Sequence, residues 1–262
     1  MDWHWNAESF CKTEVIDQTL VVTMNRPDKL NALIPESHGQ MAAIFREFEA
    51  DERLAVAILT GAGRAFCAGS DISAYVAGTS LPLPAEGGGG LTYFRDRTKP
   101  VIAAVNGICV GGGFEIALSC DMMIASANAV FALPEAKVGA GALGGGMIQL
   151  ARKLPPSLAM TLALTGDRIS ADQALHHGLV SEITDPDKVM DAALALSARI
   201  CANAPLAVRA SRKVIALTIQ GVETHAIWGT EDKLRTQVMG SADFAEGMLA
   251  FMEKRQPVWQ GR

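Results

Sequence analysis

The stretch KPVIAAVNGICVGGGFEIALSCD, residues 99–121, constrains the fold more than any other part of the chain. A β-branched, apolar run leads into three consecutive glycines, and Glu115 follows almost at once. Adjacent glycines are conformationally costly, so they belong where the main chain must turn sharply or pass close to something. GGFEIALSC beyond them reads as the start of a helix. Glu115 then falls in its first turn, where the helix dipole favours a carboxylate. The stretch is therefore strand, glycine turn, helix.

Two other runs repeat the strand signal. TLVVTM (19–24) and LAVAILTG (54–61), like PVIAAVNG (100–107), are short, rich in valine and isoleucine, and end at Gly, Pro or Asn. Between the first two, ESHGQMAAIFREFEADE sets Met41, Ile44, Phe45 and Phe48 on one helical face and Arg46, Glu47, Glu49 and Asp51 on the other. DMMIAS (121–126) and AVFAL (129–133) predict two further strands. Strands alternating with helices predict an α/β core with buried sheets. From about residue 144 helical spacing takes over, with helices expected over Asp185–Cys201, Pro205–Gln220, Val222–Met239 and Ala242–Lys254. The division follows: a core over 1–190 and a helical C-terminal region over 191–262. AGTSLPLPAEGGGG (77–90) predicts a mobile loop, and no fixed-period repeat is present.

Composition removes several function classes. With 262 residues, 49% of them hydrophobic and 19% charged, the chain can bury a sizeable core. A net charge of −5 provides no basic footprint for nucleic acid or an anionic membrane. Asn106 and Glu115 interrupt the best candidate for a membrane span, and MDWHWNAESF lacks the pattern of a signal segment. Cys11, Cys67, Cys109, Cys120 and Cys201 are odd in number and form no CxxC pair, which fits reduced thiols. A cytoplasmic protein is expected. His4, His38, His176, His177 and His225 show no metal-ligand spacing, so no metal is expected.

The chemistry gathers at two glycine turns, GRAFCAGSDIS (63–73) and NGICVGGGFE (106–115). Each places small residues where a strand ends and a helix can begin, leaving main-chain N–H groups outside the helix's own ladder. Two such amides converging on one point would form an oxyanion hole; the competing reading is that the glycines only permit the turns. Glu115 and Glu135, twenty residues apart, could hold a water between an acid and a base, or be a first-turn helix residue and an exposed turn residue. Ser70 lacks the GxSxG setting of a hydrolase nucleophile. A non-catalytic RNA-binding role conflicts with the acidic balance.

The motifs MNRPDKLNAL (24–33), GRAFCAGSDI (63–72), KPVIAAVNGICVGGGFEIALSCDMMIAS (99–126), LPEAKVG (133–139), LTGDRISADQALHHGLV (164–180) and FAEGMLAFMEKRQPVW (244–259) resemble, in order, those of the crotonase superfamily, the enoyl-CoA hydratases and isomerases. The resemblance implies a spiral of ββα units followed by helices that form a homotrimer, or a dimer of trimers. It implies an acyl-CoA substrate and no separate cofactor, coenzyme A being part of the substrate. By motif position the thioester oxygen would sit between the amides of Ser70 and Gly112. Glu115 would mainly activate water and Glu135 mainly serve the proton at Cα. Lys29, Leu30, Ala32, Ala68, Asp71 and Ile72 would line the coenzyme A site, with Phe251 and Lys254 at the adenosine phosphate. Retention of both glutamates implies hydration, or dehydration in reverse, over isomerisation. One departure stands in GALGGG (141–146), where Leu143 replaces a glycine of the hydratases' IPGAGG. A leucine there is expected to narrow the acyl pocket or displace the water, or else to pack into the core.

Overall fold

A computed structural model describes residues 9–76 and 82–262. The chain begins with strands β1 (Cys11–Ile16) and β2 (Thr19–Met24), followed by helix α1 (Pro35–Ala50). Next come β3 (Val56–Gly61), β4 (Ala65–Cys67), α2 (Ile72–Val76), β5 (Val101–Val105), β6 (Ile108–Val110) and α3 (Gly112–Ser119). Strands β7 (Met122–Ser126) and β8 (Val130–Ala132) lead through a 3-10 turn at Pro134–Val138 into α4 (Gly146–Lys153) and α5 (Pro156–Thr165). The remaining elements are β9 (Arg168–Ser170), α6 (Ala171–His176), β10 (Glu182–Thr184), α7 (Val189–Cys201), α8 (Pro205–Ile219), α9 (Thr224–Met239) and α10 (Ala242–Glu253).

Two sheets result. One runs β1-β2-β3-β5-β7-β10 and the other β4-β6-β8-β9. Pairings β2–β3, β3–β5, β5–β7 and β7–β10 are parallel, as are β4–β6 and β6–β8. Each of the successive pairs β3–β4, β5–β6 and β7–β8 puts its first strand in the large sheet and its second in the small one. The repeat is one of topology: long and unequal connections between pairs leave no fixed period in the sequence. Its consequence is local. The ends of β4, β6 and β8 lie side by side, and three different chain segments leave from them.

Central strands β3 and β5 are buried along their whole length, which is why their sequences read as continuous apolar runs. Met41, Ile44, Phe45 and Phe48 of α1 are fully buried as the periodicity predicts. Burial of a side chain of that size contributes about 1.5–3 kcal/mol relative to exposure. The opposite face of α1 is less simple. Asp51 is buried, and Glu49 Oε1 accepts from the Thr98 amide at 2.9 Å. Lys99, also buried, donates through Nζ to the carbonyls of Phe48 and Asp51 at 2.8 and 2.6 Å. That ammonium closes the C-terminal end of α1, where the helix dipole favours a cation.

The stretch expected to be a mobile loop divides. Residues 77–81 lie outside the described residues, as do His4 and the first eight residues. Gly89 and Gly90, by contrast, are buried, packed against Ile116 of α3 and Ala42 of α1. The Gly89 amide donates to His38 Nδ1 at 3.0 Å. Gly89 and Gly90 are thus packed where two helices close on them, an effect that composition does not encode.

Beyond residue 144 the expected helices are present, with α7 starting at Val189 and α9 at Thr224. The short strands β9 and β10 were not anticipated. Val189 and Ala193 of α7 pack with Val56, Ile58, Ile102 and Ala104 of the large sheet. Asp121, between α3 and β7, ion-pairs with Arg97 at 2.5 Å and with Arg212 of α8 at 3.0 Å. Burial works against the Asp121 charge, but the two guanidinium groups prevail and hold its carboxyl at about 2. No helix among the described residues is long and apolar enough to cross a membrane.

Candidate active site

The segments leaving β4, β6 and β8 carry Ser70, Gly112 and Glu135. Gly69, with φ +88°, turns the chain after β4 in a conformation that a side chain would strain. A Cβ there would also lie 3.0 Å from the Val110 carbonyl oxygen and 3.2 Å from the Gly112 nitrogen. The two turns therefore touch main chain to main chain. Around Ser70, Leu33 N–H donates to the Gly69 carbonyl and Asp71 N–H to the Leu33 carbonyl, both at 2.8 Å. The Ser70 and Gly112 N–H groups find no acceptor among the described residues. A Cβ on Gly112 would be 3.9 Å from the Ser70 nitrogen. Two unpaired amides thus stand together at the end of the small sheet.

Both carboxylates reach this place from different directions. Glu115 is the fourth residue of α3 and is buried. Its Oε1 accepts from the Gly146 amide, the first of α4, at 2.9 Å. A Cβ on Gly144 would lie 3.1 Å from Glu115 Oε2, and one on Gly146 only 2.6 Å from its Cγ. The loop after the 3-10 turn is a glycine cradle for this carboxylate. Burial pushes the Glu115 carboxyl up, while the amides of Gly146 and Gly144 oppose that rise.

Glu135, on the 3-10 turn after β8, is half-buried. Its Oε1 lies 3.2 Å from where a Cβ of Gly111 would stand, and Gly111 in turn lies against Gly69. Its Oε2 is buried and has no hydrogen-bond partner. Burial pushes this carboxyl up too; its own amide opposes, and the Glu115 charge adds to the rise. The exposed-turn reading of Glu135 is corrected: the proline-led turn faces it inward. One carboxylate is held by two glycine amides and the other keeps one oxygen without a donor, so the pair is suited to divide into base and acid.

Leu30, Ala32, Ala68 and Asp71 come together around Arg26. Arg26 Nη1 donates to the Ala32 carbonyl at 2.7 Å, and Nη2 pairs with Asp71 at 3.1 Å. Ala68 N–H donates to the Leu30 carbonyl at 2.9 Å. Lys29 and Ile72 flank this group and are exposed. Phe251, 84% exposed on α10, and Lys254, which ends that helix, are joined to it by no hydrogen bond, ion pair or ring contact among the described residues. Leu143 is 78% exposed, so the expectation of core packing is corrected. Its side chain leans toward Gly141, its carbonyl accepts from the Tyr93 hydroxyl at 3.2 Å, and the residues in contact with Glu115 are its neighbours Gly144 and Gly146.

Three structural contributors escaped the sequence reading. Buried Asn31 accepts from the Arg26 amide at 2.9 Å and donates to the carbonyls of Ala62 and Ala65 at 2.9 and 2.8 Å. Asn106 likewise donates to the carbonyls of Gly61 and Gly63 at 2.8 Å. The third is the cradle at Gly144 and Gly146, whose only sequence signal was glycine content. No group of three His, Cys, Asp or Glu suited to a metal occurs among the described residues.

Comparison with known proteins agrees with this geometry. The family model for enoyl-CoA hydratase/isomerase matches residues 15–262. The carnitinyl-CoA dehydratase of Proteus mirabilis (strain HI4320) is 41% identical over 249 residues, covering 93% of this chain and 95% of the relative. The (E)-benzylidenesuccinyl-CoA hydratase of Thauera aromatica is 38% identical over 264 residues, covering 95% and 98%. The crystal structure of an enoyl-CoA hydratase from Mycobacterium tuberculosis H37Rv superposes with a TM-score of 0.92 at 38% identity, covering 97% of this chain and 99% of that one. With its paired sheets, unpaired amides and two inward carboxylates, the chain belongs to the crotonase superfamily, in the enoyl-CoA hydratase/isomerase family.

Proposed function

We propose that the protein is a hydro-lyase that adds water reversibly across the 2,3 double bond of an enoyl-CoA thioester. The observation that carries the reading is a pair of carboxylates in unlike settings, buried Glu115 on two glycine amides and half-buried Glu135 with an unpartnered oxygen, beside the amides of Ser70 and Gly112. In hydration, the water oxygen bonds to Cβ while Glu115 takes its proton. The π electrons move toward the thioester, and the charge that develops on its oxygen falls to the Ser70 and Gly112 amides. Preorganised donors of this kind contribute about 3–4 kcal/mol each to the transition state. Glu135 delivers a proton to Cα, giving the 3-hydroxyacyl thioester, and dehydration reverses each transfer. Relatives named for a dehydratase and for a hydratase support a hydro-lyase.

Coenzyme A would lie along Lys29, Leu30, Ala32, Ala68, Asp71 and Ile72, with Phe251 and Lys254 completing the adenosine end. The same reading makes the working species a homotrimer or a dimer of trimers. In the single chain α8 buries none of its residues, and the exposed side chains of Ile215, Ile219, Trp228, Met248, Phe251 and Met252 lie on α8, α9 and α10, helices that pack on one another; apolar surface gathered in this way favours a partner. The activity is tested with a panel of enoyl-CoA thioesters followed by absorbance. Loss of the conjugated-thioester band with formation of the 3-hydroxy product is expected. Double-bond migration without uptake of water would make the protein an isomerase.

A further inference from the structure

Ser70 and Gly112 belong to segments that leave different strands, so something must set the gap between their amides. The side chain at that junction is Cys67, the last residue of β4. Its thiol is fully buried. The sulfur accepts from the Gly69 amide at 3.4 Å and donates to the Asn31 carbonyl at 3.1 Å, using both the weak donor and the weak acceptor capacity of a thiol. On its other side it fills the space beside the first turn of α3. A Cβ on Gly113 would lie 2.6 Å from Cys67 Cβ and 2.8 Å from Sγ. A single side chain thus touches the turn before Ser70, the residue after Gly112, and the turn at Asn31.

The backbone is arranged to aim it there. Pairing of β4 with β6 shifts register between Ala65–Ile108 and Cys67–Cys109, so β4 carries one extra residue, as in a β-bulge that redirects the following side chain. Burial pushes the thiol up to about 12, against the opposing effect of the Gly69 amide. At neutral pH it is therefore a neutral, inert group suited to a mechanical role and not to a nucleophilic one. Because Cys67 occupies the Gly69 N–H, the next amide in the turn, that of Ser70, is the one left for a ligand.

We propose that Cys67 is a positioning residue whose side chain sets the separation of the Ser70 and Gly112 amides, and with it the polarisation of the bound thioester. The proposal rests on the oxyanion-hole reading above. Misplacing a reacting group by about 1 Å costs about 10²-fold in rate, and the smaller displacement expected here predicts a loss of about tenfold.

The test uses a 3-arylacryloyl-CoA, whose absorbance moves to longer wavelength when its carbonyl is polarised. Spectra are recorded in a Glu135→Gln background to prevent hydration, and kinetics in the otherwise native chain. Cys67→Ala is expected to shrink the shift and lower kcat about tenfold, with KM changed less than about twofold. Cys67→Ser, which keeps a donor and an acceptor on a shorter bond, is expected to fall between. Cys109→Ala, at an equally buried thiol, should keep the full shift. A wild-type shift and kcat in Cys67→Ala, or equal losses in Cys67→Ala and Cys109→Ala, would overturn the role of Cys67. If Cys67→Ala does not fold, a full shift and full kcat in Cys67→Ser decide against it. Absence of any shift with Cys67 intact would instead overturn the oxyanion-hole reading on which the proposal stands.

Discussion

The Gly146 amide, at the first turn of α4, donates to Glu115 Oε1 on α3 at 2.9 Å, and the absent side chain of Gly146 is what lets it approach. A methyl at that position would stand 2.6 Å from Glu115 Cγ, closer than side chains tolerate. Gly146→Ala is therefore expected to displace the carboxylate and reduce kcat by at least tenfold, while coenzyme A binding is retained. Steady-state kinetics together with titration of free coenzyme A checks this. A fully active variant would mean that Glu115 works from another rotamer.

On the proposed function, Glu115→Gln and Glu135→Gln would each remove a proton-transfer group while preserving shape. A loss of about 10²–10⁴-fold in kcat is expected for each, the usual range for general acid–base groups. Binding of the thioester should survive, since the Ser70 and Gly112 amides are untouched. Turnover like that of the native chain in either variant would remove that residue from the mechanism.

The pH dependence of stability tests the environment of Glu135 apart from its chemistry. Its carboxyl is raised above the ordinary 4.5 by burial and by the Glu115 charge. A raised carboxyl contributes stability in full below the unfolded-state value, and that contribution is lost as pH rises through the folded value. Glu135→Gln should consequently melt higher than the native chain at pH 7, and the difference should close as pH falls toward 4.5. Thermal midpoints over pH 4–8 give the answer; parallel curves would mean the carboxyl is not perturbed.

Leu143 is 78% exposed, and its hydrogen bonds run through its main chain, its carbonyl accepting from the Tyr93 hydroxyl and its N–H donating to the Gly141 carbonyl. Leu143→Gly should therefore change thermal stability by no more than about 0.5 kcal/mol from lost contacts, plus up to about 1 kcal/mol of backbone entropy. Its expected effect is on kcat/KM across a series of acyl chain lengths. A flat series would take Leu143 out of substrate selection and direct attention to residues 76–92.

The exposed apolar residues of α8, α9 and α10 predict the mass of a trimer, or twice that, by light scattering at micromolar concentration. Trp228→Glu and Phe251→Glu are expected to shift the distribution toward smaller species. A monomeric mass for the native chain would refute the assembly.

What the sequence by itself determined is whatever repeats along the chain or is confined to one turn of it. The four apolar residues of α1 follow from the period of 3.6, and the continuous runs of β2, β3 and β5 from strands buried on both faces. The glycine turns before Ser70 and Gly112 follow from steric freedom at single positions, and six ordered motifs carried the family. Strands β4 and β6, three residues each, were too short for any period to show. Asn31 holding Ala62 and Ala65, Gly146 holding Glu115, and Cys67 reaching both Asn31 and Gly113 join residues thirty or more positions apart. Such contacts exist only once parallel strands have brought the ends of β4, β6 and β8 side by side. The tertiary structure alone decided which carboxylate received the amides of a distant loop and which kept a buried oxygen without a donor, because that depends on the packing of segments distant in the chain.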